Sequence, residues 1–456
     1  MCNILSVRIE TLGCRLNQVE SEALASGFLK QGFSIFERKK NNQNNNVVFC
    51  IVNTCTVTGK AEQKARRLIR LLLKEHTNAL ILVTGCYAEL ESDTIENIDN
   101  GGRIISFSGK KKDELDELPN YLIPFFNKNR NFCIADLKKT VLEFRQKIYE
   151  KKTEYTDSKK MFKLSSPVFI FHSRASLKVQ DGCNNSCTYC RIRLARGKSV
   201  SLPSKEVLRR ISEIEKNGAA EVVLSGVNLS QYSCDIGGFA DLLSLILTST
   251  KKIRIRISSL YPDLINGKMP AILTDKRICP HFHLSIQSGS DKILKAMNRN
   301  YTLSDITKAV NDLRSVKDKP FIGCDIITGF PSETDEDFEQ TFLMCKNLNF
   351  SGIHVFPFSA RPGTSAFFMT CKVPERISGE RAARLNTLST NNYKEYLKSC
   401  NGKTFFAIAE KPIPGKPVEV LTENYLSLPL TGNKANYKGG EEVLIKVTDD
   451  KAQIVF

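Results

Sequence analysis

Apolar and polar positions set two rhythms along this chain. Through roughly residue 125, short apolar runs alternate with longer amphipathic stretches, and Ser6–Leu12, Val47–Asn53 and Leu80–Thr84 read as buried strands. That alternation predicts a parallel sheet flanked by helices. Two interruptions follow: an asparagine-rich turn from Asn41 to Asn46, and a charged stretch from Lys138 to Lys160 with little apolar content after Tyr149, which reads as a linker. The alternation then resumes at Ser176–Val179, Glu221–Ser225, Lys252–Ile257, His281–Ser285, Phe321–Gly329 and Gly352–Phe358. Helix-like stretches such as Ser204–Asn217, Asp291–Met297 and Thr334–Leu348 separate these strands, so an open, partial (β/α)6 barrel is expected. Beyond about Cys400 the pattern changes to four short strands, Thr404–Glu410, Pro417–Leu421, Glu442–Val447 and Ala452–Phe456, with Pro and Gly between them, as in a small β-barrel.

The expected fold is therefore α/β: a parallel domain over residues 1–137, a linker over 138–165, a barrel core over 166–399 and a terminal β-barrel over 400–456. At 456 residues the chain is long enough for such a division, and its 41% hydrophobic content can fill the cores. The formal charge of +17 favours a polyanionic partner, nucleic acid first and an anionic membrane surface second, because lysine and arginine gain by displacing condensed counterions. Lys+Arg minus Asp+Glu is +6 over residues 1–160 (26 minus 20) and +1 over 396–456 (8 minus 7), which leaves +10 in the middle. Neither an amino-terminal export signal nor a run approaching the ~20 apolar residues of a bilayer span is present, so a cytoplasmic protein without a membrane partner is expected. Fifteen cysteines in such a chain fit metal binding and burial better than a disulfide framework.

The densest cysteine motif is Gln180-Asp181-Gly182-Cys183-Asn184-Asn185-Ser186-Cys187-Thr188-Tyr189-Cys190, directly after a strand. A loop of this length can fold three thiolates around one cuboidal iron–sulfur cluster. Three thiolates satisfy three irons and leave the fourth open to a small molecule, as open catalytic zinc sites differ from closed structural ones. A structural zinc loop is the alternative, but its fourth ligand would have to come from elsewhere, since no histidine or paired cysteine stands nearby at zinc spacing. Tyr189 is either packing or a ring flanking an adenine. In the first domain, Cys14, Cys55 and Cys86 each follow a predicted strand, 41 and 31 residues apart. Parallel strands present their carboxyl ends on one side, so these three can converge on one crevice; coincidence or inert burial is the alternative. Cys50, inside the apolar run Val47–Val52, reads as a small buried hydrophobe.

The Cys183/Cys187/Cys190 loop resembles that of the radical S-adenosylmethionine superfamily. The resemblance implies that S-adenosylmethionine chelates the open iron and is cleaved by one electron to a 5′-deoxyadenosyl radical. It places Ser225-Gly226 where the methionine amino group is held, with Gln287-Ser288-Gly289 and Gly329-Phe330-Pro331 bordering the same mouth. Gly13, Asn17, Asn53-Thr54-Cys55-Thr56-Val57 and Gly85-Cys86-Tyr87-Ala88 resemble the amino-terminal domain of the methylthiotransferases, which implies a second [4Fe–4S] cluster on Cys14, Cys55 and Cys86. The terminal barrel resembles the TRAM type found in RNA-modifying enzymes. Three positions depart from the family pattern: Ser332 where glycine is usual, Tyr261 where an acidic residue is expected, and Ser285 where proline is common. None removes a cysteine.

The activity so implied inserts a methylthio group at C2 of an adenine, consuming two S-adenosylmethionine molecules, with the cofactor carrying the hard chemistry. The segments Asn53-Thr54-Cys55-Thr56-Val57-Thr58, Cys279-Pro280-His281-Phe282-His283-Leu284 and His354-Val355-Phe356-Pro357-Phe358, with Arg361-Pro362-Gly363-Thr364, are most similar to the branch acting on N6-threonylcarbamoyladenosine in the tRNA anticodon loop. Arg361 is the candidate cation for the threonylcarbamoyl carboxylate, against a solvated loop arginine. Sister branches act on isopentenyladenosine of tRNA or on a ribosomal-protein aspartate, and a non-enzymatic iron–sulfur RNA binder is a third class. An electron donor and a sulfur source are needed and neither is identified by the residues. The five histidines, His76, His172, His281, His283 and His354, are dispersed; His281 and His283 share a strand face, where packing or a polar strand end is expected rather than a metal pair.

Overall fold

The computed structural model describes residues 5–36, 47–129, 132–150, 162–431 and 437–455, so the Asn41–Asn46 turn lies outside them. The chain divides into two compact units. One comprises Met1–Ile170 with Asp181–Asn184 and Cys190–Leu202; the other comprises Phe171–Gln180, Asn185–Tyr189 and Pro203–Phe456.

The first unit holds a five-stranded sheet built from Ser6–Thr11, Ser34–Ile35, Val47–Thr54, Leu80–Gly85 and Ile104–Ser106, all parallel, in the spatial order second, first, third, fourth, fifth. Val47–Thr54 is buried at every position because helices cover both faces of such a sheet, which is why its sequence is a continuous apolar run. The two strands that the pattern did not reveal, Ser34–Ile35 and Ile104–Ser106, are edge strands of two and three residues, too short to carry a period. Thr58 caps the helix Gly59–Glu75 by accepting from Ala61 N, and Ala65, Ile69 and Leu72 of that helix pack with Cys50, Val52, Ile81 and Val83. The charged stretch read as a linker is helical at its start: Ile134–Glu150 forms a helix that buries Leu137, Val141, Phe144 and Ile148. Those four fall at i, i+4, i+7 and i+11, a helical stripe that the surrounding charge obscures.

The second unit contains six parallel strands, Ala175–Lys178, Glu221–Ser225, Arg254–Ile257, His281–Gln287, Phe321–Thr328 and Gly352–Pro357, in sequence order around an open barrel. Ser259–Leu260 carries the third strand over to the fourth. Capped helices separate them; Thr302 and Thr334 each form a capping box, with Asp305 and Asp337. The 26-residue helix Glu375–Cys400 leads into a closed five-stranded barrel, Thr404–Ala409, Glu419–Thr422, Ser427–Thr431, Glu442–Thr448 and Lys451–Ile454. Its third strand went unpredicted because it carries Pro429, which weakens a strand signal. Among the described residues no helix is long and apolar enough to cross a membrane.

Candidate iron–sulfur and cofactor site

In the first unit the order of strands reverses beside Ser6–Thr11, and the crevice outside the carboxyl ends at such a reversal is where α/β sheets bind ligands. Cys14 caps the helix after the first strand, Cys55 follows the third, and Cys86 opens the short helix after the fourth. They are close enough to act on one another: burial and the neighbouring Cys86 and Cys14 push the Cys55 thiol up to about 12. Cys55 and Cys86 are buried and Cys14 is exposed. Two glycines permit this convergence. A Cβ on Gly13 would lie 2.6 Å from Cys55 Cβ, and one on Gly85, at φ +95°, would lie 2.4 Å from Thr54 O. Asn17 ties the strand ends together by donating to Leu12 O and Thr54 O, each at 3.0 Å.

The donors around the sulfurs suit thiolates. Val57 N–H points at Cys55 Sγ (3.5 Å), and the Arg196 guanidinium donates from Nε to Cys86 Sγ (3.2 Å). Burial raises the Cys86 thiol, while Arg196 and Lys112 favour its charged form. Three thiols at neighbouring strand ends, one facing the Val57 N–H and one the Arg196 guanidinium, fit an iron–sulfur cluster, whose sulfurs take such hydrogen bonds. Cys50, by contrast, faces the core of the sheet, where burial pushes its thiol up to about 12.

Arg196 was not singled out in the sequence. Besides Cys86 it reaches Asn17 Oδ1 (2.6 Å), Glu20 Oε1 (3.2 Å) and both oxygens of Asp181 (2.9 and 3.0 Å), all buried. Lys112 completes the group at 2.7 Å from Glu20. A signal did exist: Glu20 sits four residues after Leu16, on the stripe Leu16–Val19–Ala23, and a carboxylate at a core position requires a cation. Arg191, the residue after Cys190, likewise meets Glu62 (3.2 Å) and Glu91 (2.9 Å).

The radical-loop cysteines have separate local surroundings. Cys183 is buried and its N–H donates to Gly197 O (3.1 Å); Cys190 Sγ accepts from Ile192 N (3.4 Å). In the second unit, Thr188 N donates to Met297 O and Ala366 N to Thr188 O, which anchors the backbone beside Cys187. Tyr189 OH accepts from Arg299 Nη2 (2.7 Å), and its ring meets Phe330 edge-on. The Tyr261 departure has a physical counterpart: Arg299 lies 4.7 Å from the Tyr261 ring centroid, 5.6 Å from Tyr301 and 5.8 Å from Tyr189. Aromatic faces thus surround this cation where a carboxylate was expected.

The other cofactor candidates all stand at carboxyl ends of strands. Ser225 Oγ is buried with no hydrogen-bond partner among the described residues, as a group awaiting a ligand would be. A Cβ on Gly226 would come within 2.7 Å of Leu229. Gln287 has φ +75°, a left-handed conformation rare outside glycine, and Gly329 has φ +73° with Ser378 2.5 Å from where its Cβ would stand. Ser332 also lies at φ +68°, so the backbone here does favour the glycine usual at this position. Arg361 is buried, which removes the reading as a solvated loop arginine.

Residues 177–345 match the radical SAM superfamily, and residues 6–105 match the uncharacterized protein family UPF0004. The chain is 47% identical to the threonylcarbamoyladenosine tRNA methylthiotransferase MtaB of Treponema pallidum, over 98% of this chain and 99% of that protein. The chain belongs to the MtaB-like radical SAM methylthiotransferases. The MtaB of Thermotoga maritima is 34% identical over 94% and 92% of the two chains. The tRNA-2-methylthio-N(6)-dimethylallyladenosine synthase of Endomicrobium trichonymphae is 30% identical over 98% of both. The solved radical S-adenosylmethionine methyltransferase TsrM of Kitasatospora setae shares the fold, with a TM-score of 0.52 at 12% identity over 80% of this chain and 77% of that one. As an MtaB-like member the chain is a radical SAM enzyme that transfers a sulfur-containing group and uses S-adenosylmethionine with [4Fe–4S] clusters.

Proposed function

We propose that this chain inserts a methylthio group at C2 of N6-threonylcarbamoyladenosine in the tRNA anticodon loop, just 3′ of the anticodon. The observation that carries the reading is near-full-length identity of 47% to a relative of that name, against 30% for the dimethylallyladenosine synthase. In this reading Cys14, Cys55 and Cys86 hold one [4Fe–4S] cluster, and Cys183, Cys187 and Cys190 hold the cluster that binds S-adenosylmethionine. When bound, these groups supply radical hydrogen abstraction and sulfur transfer. The chain's own residues do the positioning. Arg196 and Val57 orient thiolates, Tyr189 and Gly329 shape the mouth, and Ser225, Gly226 and Gln287 present backbone and hydroxyl to the methionine end of the cofactor.

The substrate base lies in a single-stranded loop, which lets it enter a pocket without breaking a duplex. Buried Arg361 is the cation for the threonylcarbamoyl carboxylate. The domain assignment, with the expected boundary at 137 moved past the packed helix Ile134–Glu150, is a methylthiotransferase domain through that helix, a linker from there to 165, 166–399 radical core and 400–456 TRAM-like RNA binding. A tRNA substrate and the absence of a long apolar helix among the described residues support a cytoplasmic location, with a separate electron donor and sulfur source. Mass spectrometry of tRNA nucleosides from a deletion strain tests the assignment. Loss of 2-methylthio-threonylcarbamoyladenosine with its precursor retained is expected; loss of the isopentenyl product instead would move the chain to the sister branch.

A further inference from the structure

His281 and His283, expected to be packing or a polar strand end, differ in their surroundings. His281 does pack, stacked 3.8 Å from Tyr425 of the terminal barrel. His283 instead turns to partners on neighbouring strands that are remote in sequence. The register pairs His283 with Gly323 and Asp325 with His354, so His283, Asp325 and His354 share one face of three adjacent parallel strands. On the opposite face, Cys324 meets Cys345 of the helix Asp335–Asn347, which places the three polar residues on the side of the sheet away from that helix. His283 Nε2 is 2.9 Å and His354 Nδ1 3.5 Å from the same oxygen, Asp325 Oδ1, and one ligand atom from each residue lies within 4.8 Å of the others.

We propose that His283, Asp325 and His354 form a binding site for a divalent first-row transition ion of the zinc class, separate from the cysteine clusters. Two imidazoles and one carboxylate on one face are a donor set for such ions, with remaining positions open to water. Metal–ligand bonds of 2.0–2.1 Å put neighbouring ligand atoms about 2.9 Å apart in an octahedral site and about 3.4 Å apart in a tetrahedral one. The two contacts to Asp325 Oδ1, 2.9 and 3.5 Å, lie near those separations, and the two imidazole nitrogens, within 4.8 Å of each other, would close on a bound ion by side-chain rotation. Room is provided by glycine: a Cβ on Gly323 would stand 3.0 Å from His283 Nδ1, and Gly352 beside it also lacks a side chain. With both imidazoles neutral, the group carries one negative charge, which suits a cation. His354 is exposed and Asp325 half-buried, so an ion can enter from solvent.

The test uses the full chain with its cysteine clusters reconstituted anaerobically, cleared of loose metal with a chelator and dialysed against micromolar Zn²⁺. Zinc and iron are counted together by mass spectrometry for the wild type, Asp325→Asn and His354→Gln. The wild type should hold one zinc per chain that both variants bind at least about tenfold more weakly, with iron unchanged. X-ray absorption should show imidazole and oxygen ligands at about 2.0–2.1 Å and no sulfur at about 2.3 Å. His354 is exposed, so His354→Gln keeps the test informative if Asp325→Asn proves unstable. No zinc on the wild type, equal zinc on the variants, or sulfur scattering would each overturn the proposal.

Discussion

Replacing Arg196 by leucine should destabilise the first unit severely, and the size of the effect follows from its partners. Two cations, Arg196 and Lys112, face two carboxylates, Glu20 and Asp181, and all four side chains are buried. Removing one cation leaves a net negative charge in a dry site, and breaking a buried pair in this way costs roughly 3–5 kcal/mol. A chain segment of this size loses about 2–4 °C per kcal/mol, so the unfolding midpoint should fall by about 6–20 °C. Arg196→Lys keeps the charge but cannot also span Asn17 and Cys86. It gives up two hydrogen bonds of about 0.5–1.5 kcal/mol each and should lie between wild type and leucine. Scanning calorimetry of anaerobically purified protein, all variants at one scan rate, gives the comparison. A midpoint for Arg196→Leu within about 2 °C of wild type would show that the four charges are not holding the unit together. Equal losses for lysine and leucine would show that the geometry of the fork matters and the charge does not.

Alanine at Cys14, Cys55 or Cys86 should stop methylthio insertion and leave cleavage of S-adenosylmethionine intact, whereas Cys50→Ala should cost only about 1 kcal/mol of burial and keep activity; deoxyadenosine and nucleoside assays separate the two. Alanine at Cys183, Cys187 or Cys190 should abolish cleavage and remove about four irons, as read by iron analysis. Gly85→Ala, forced to φ +95° with Thr54 O in the way, should cost about 2 kcal/mol or more in thermal unfolding and lower iron retention. Deleting residues 400–456 is an unclean test of RNA binding, because Arg256 donates to Glu423 O and Thr422 O and His281 stacks on Tyr425. Lys446→Glu with Lys451→Glu, both exposed on the terminal barrel, should weaken tRNA binding and flatten its salt dependence while leaving S-adenosylmethionine cleavage unchanged, which filter binding across a salt series would show.

The strands Val47–Thr54 and Leu80–Gly85 were legible because burial on both faces demands unbroken apolar runs, whereas strands of the second unit such as Arg254–Ile257 and His281–Gln287 alternate polar and apolar positions. The loop Cys183–Cys190 was legible because its ligands are neighbours along the chain, so spacing alone constrains them. Cys14, Cys55 and Cys86 could be placed at strand ends by pattern; that they lie within electrostatic reach of one another depends on strand order, which periodicity does not encode. The helix Ile134–Glu150 was hidden because charge on its outer face outweighed a four-residue stripe. Arg196 and the His283–Asp325–His354 group belonged to tertiary structure alone. Their partners lie tens to more than a hundred residues away, and only the docking of the segment Cys190–Leu202 and the register of three parallel strands bring those charges within a few ångströms. Apolar periodicity records which face of an element is buried; which polar groups meet there is decided when the elements pack.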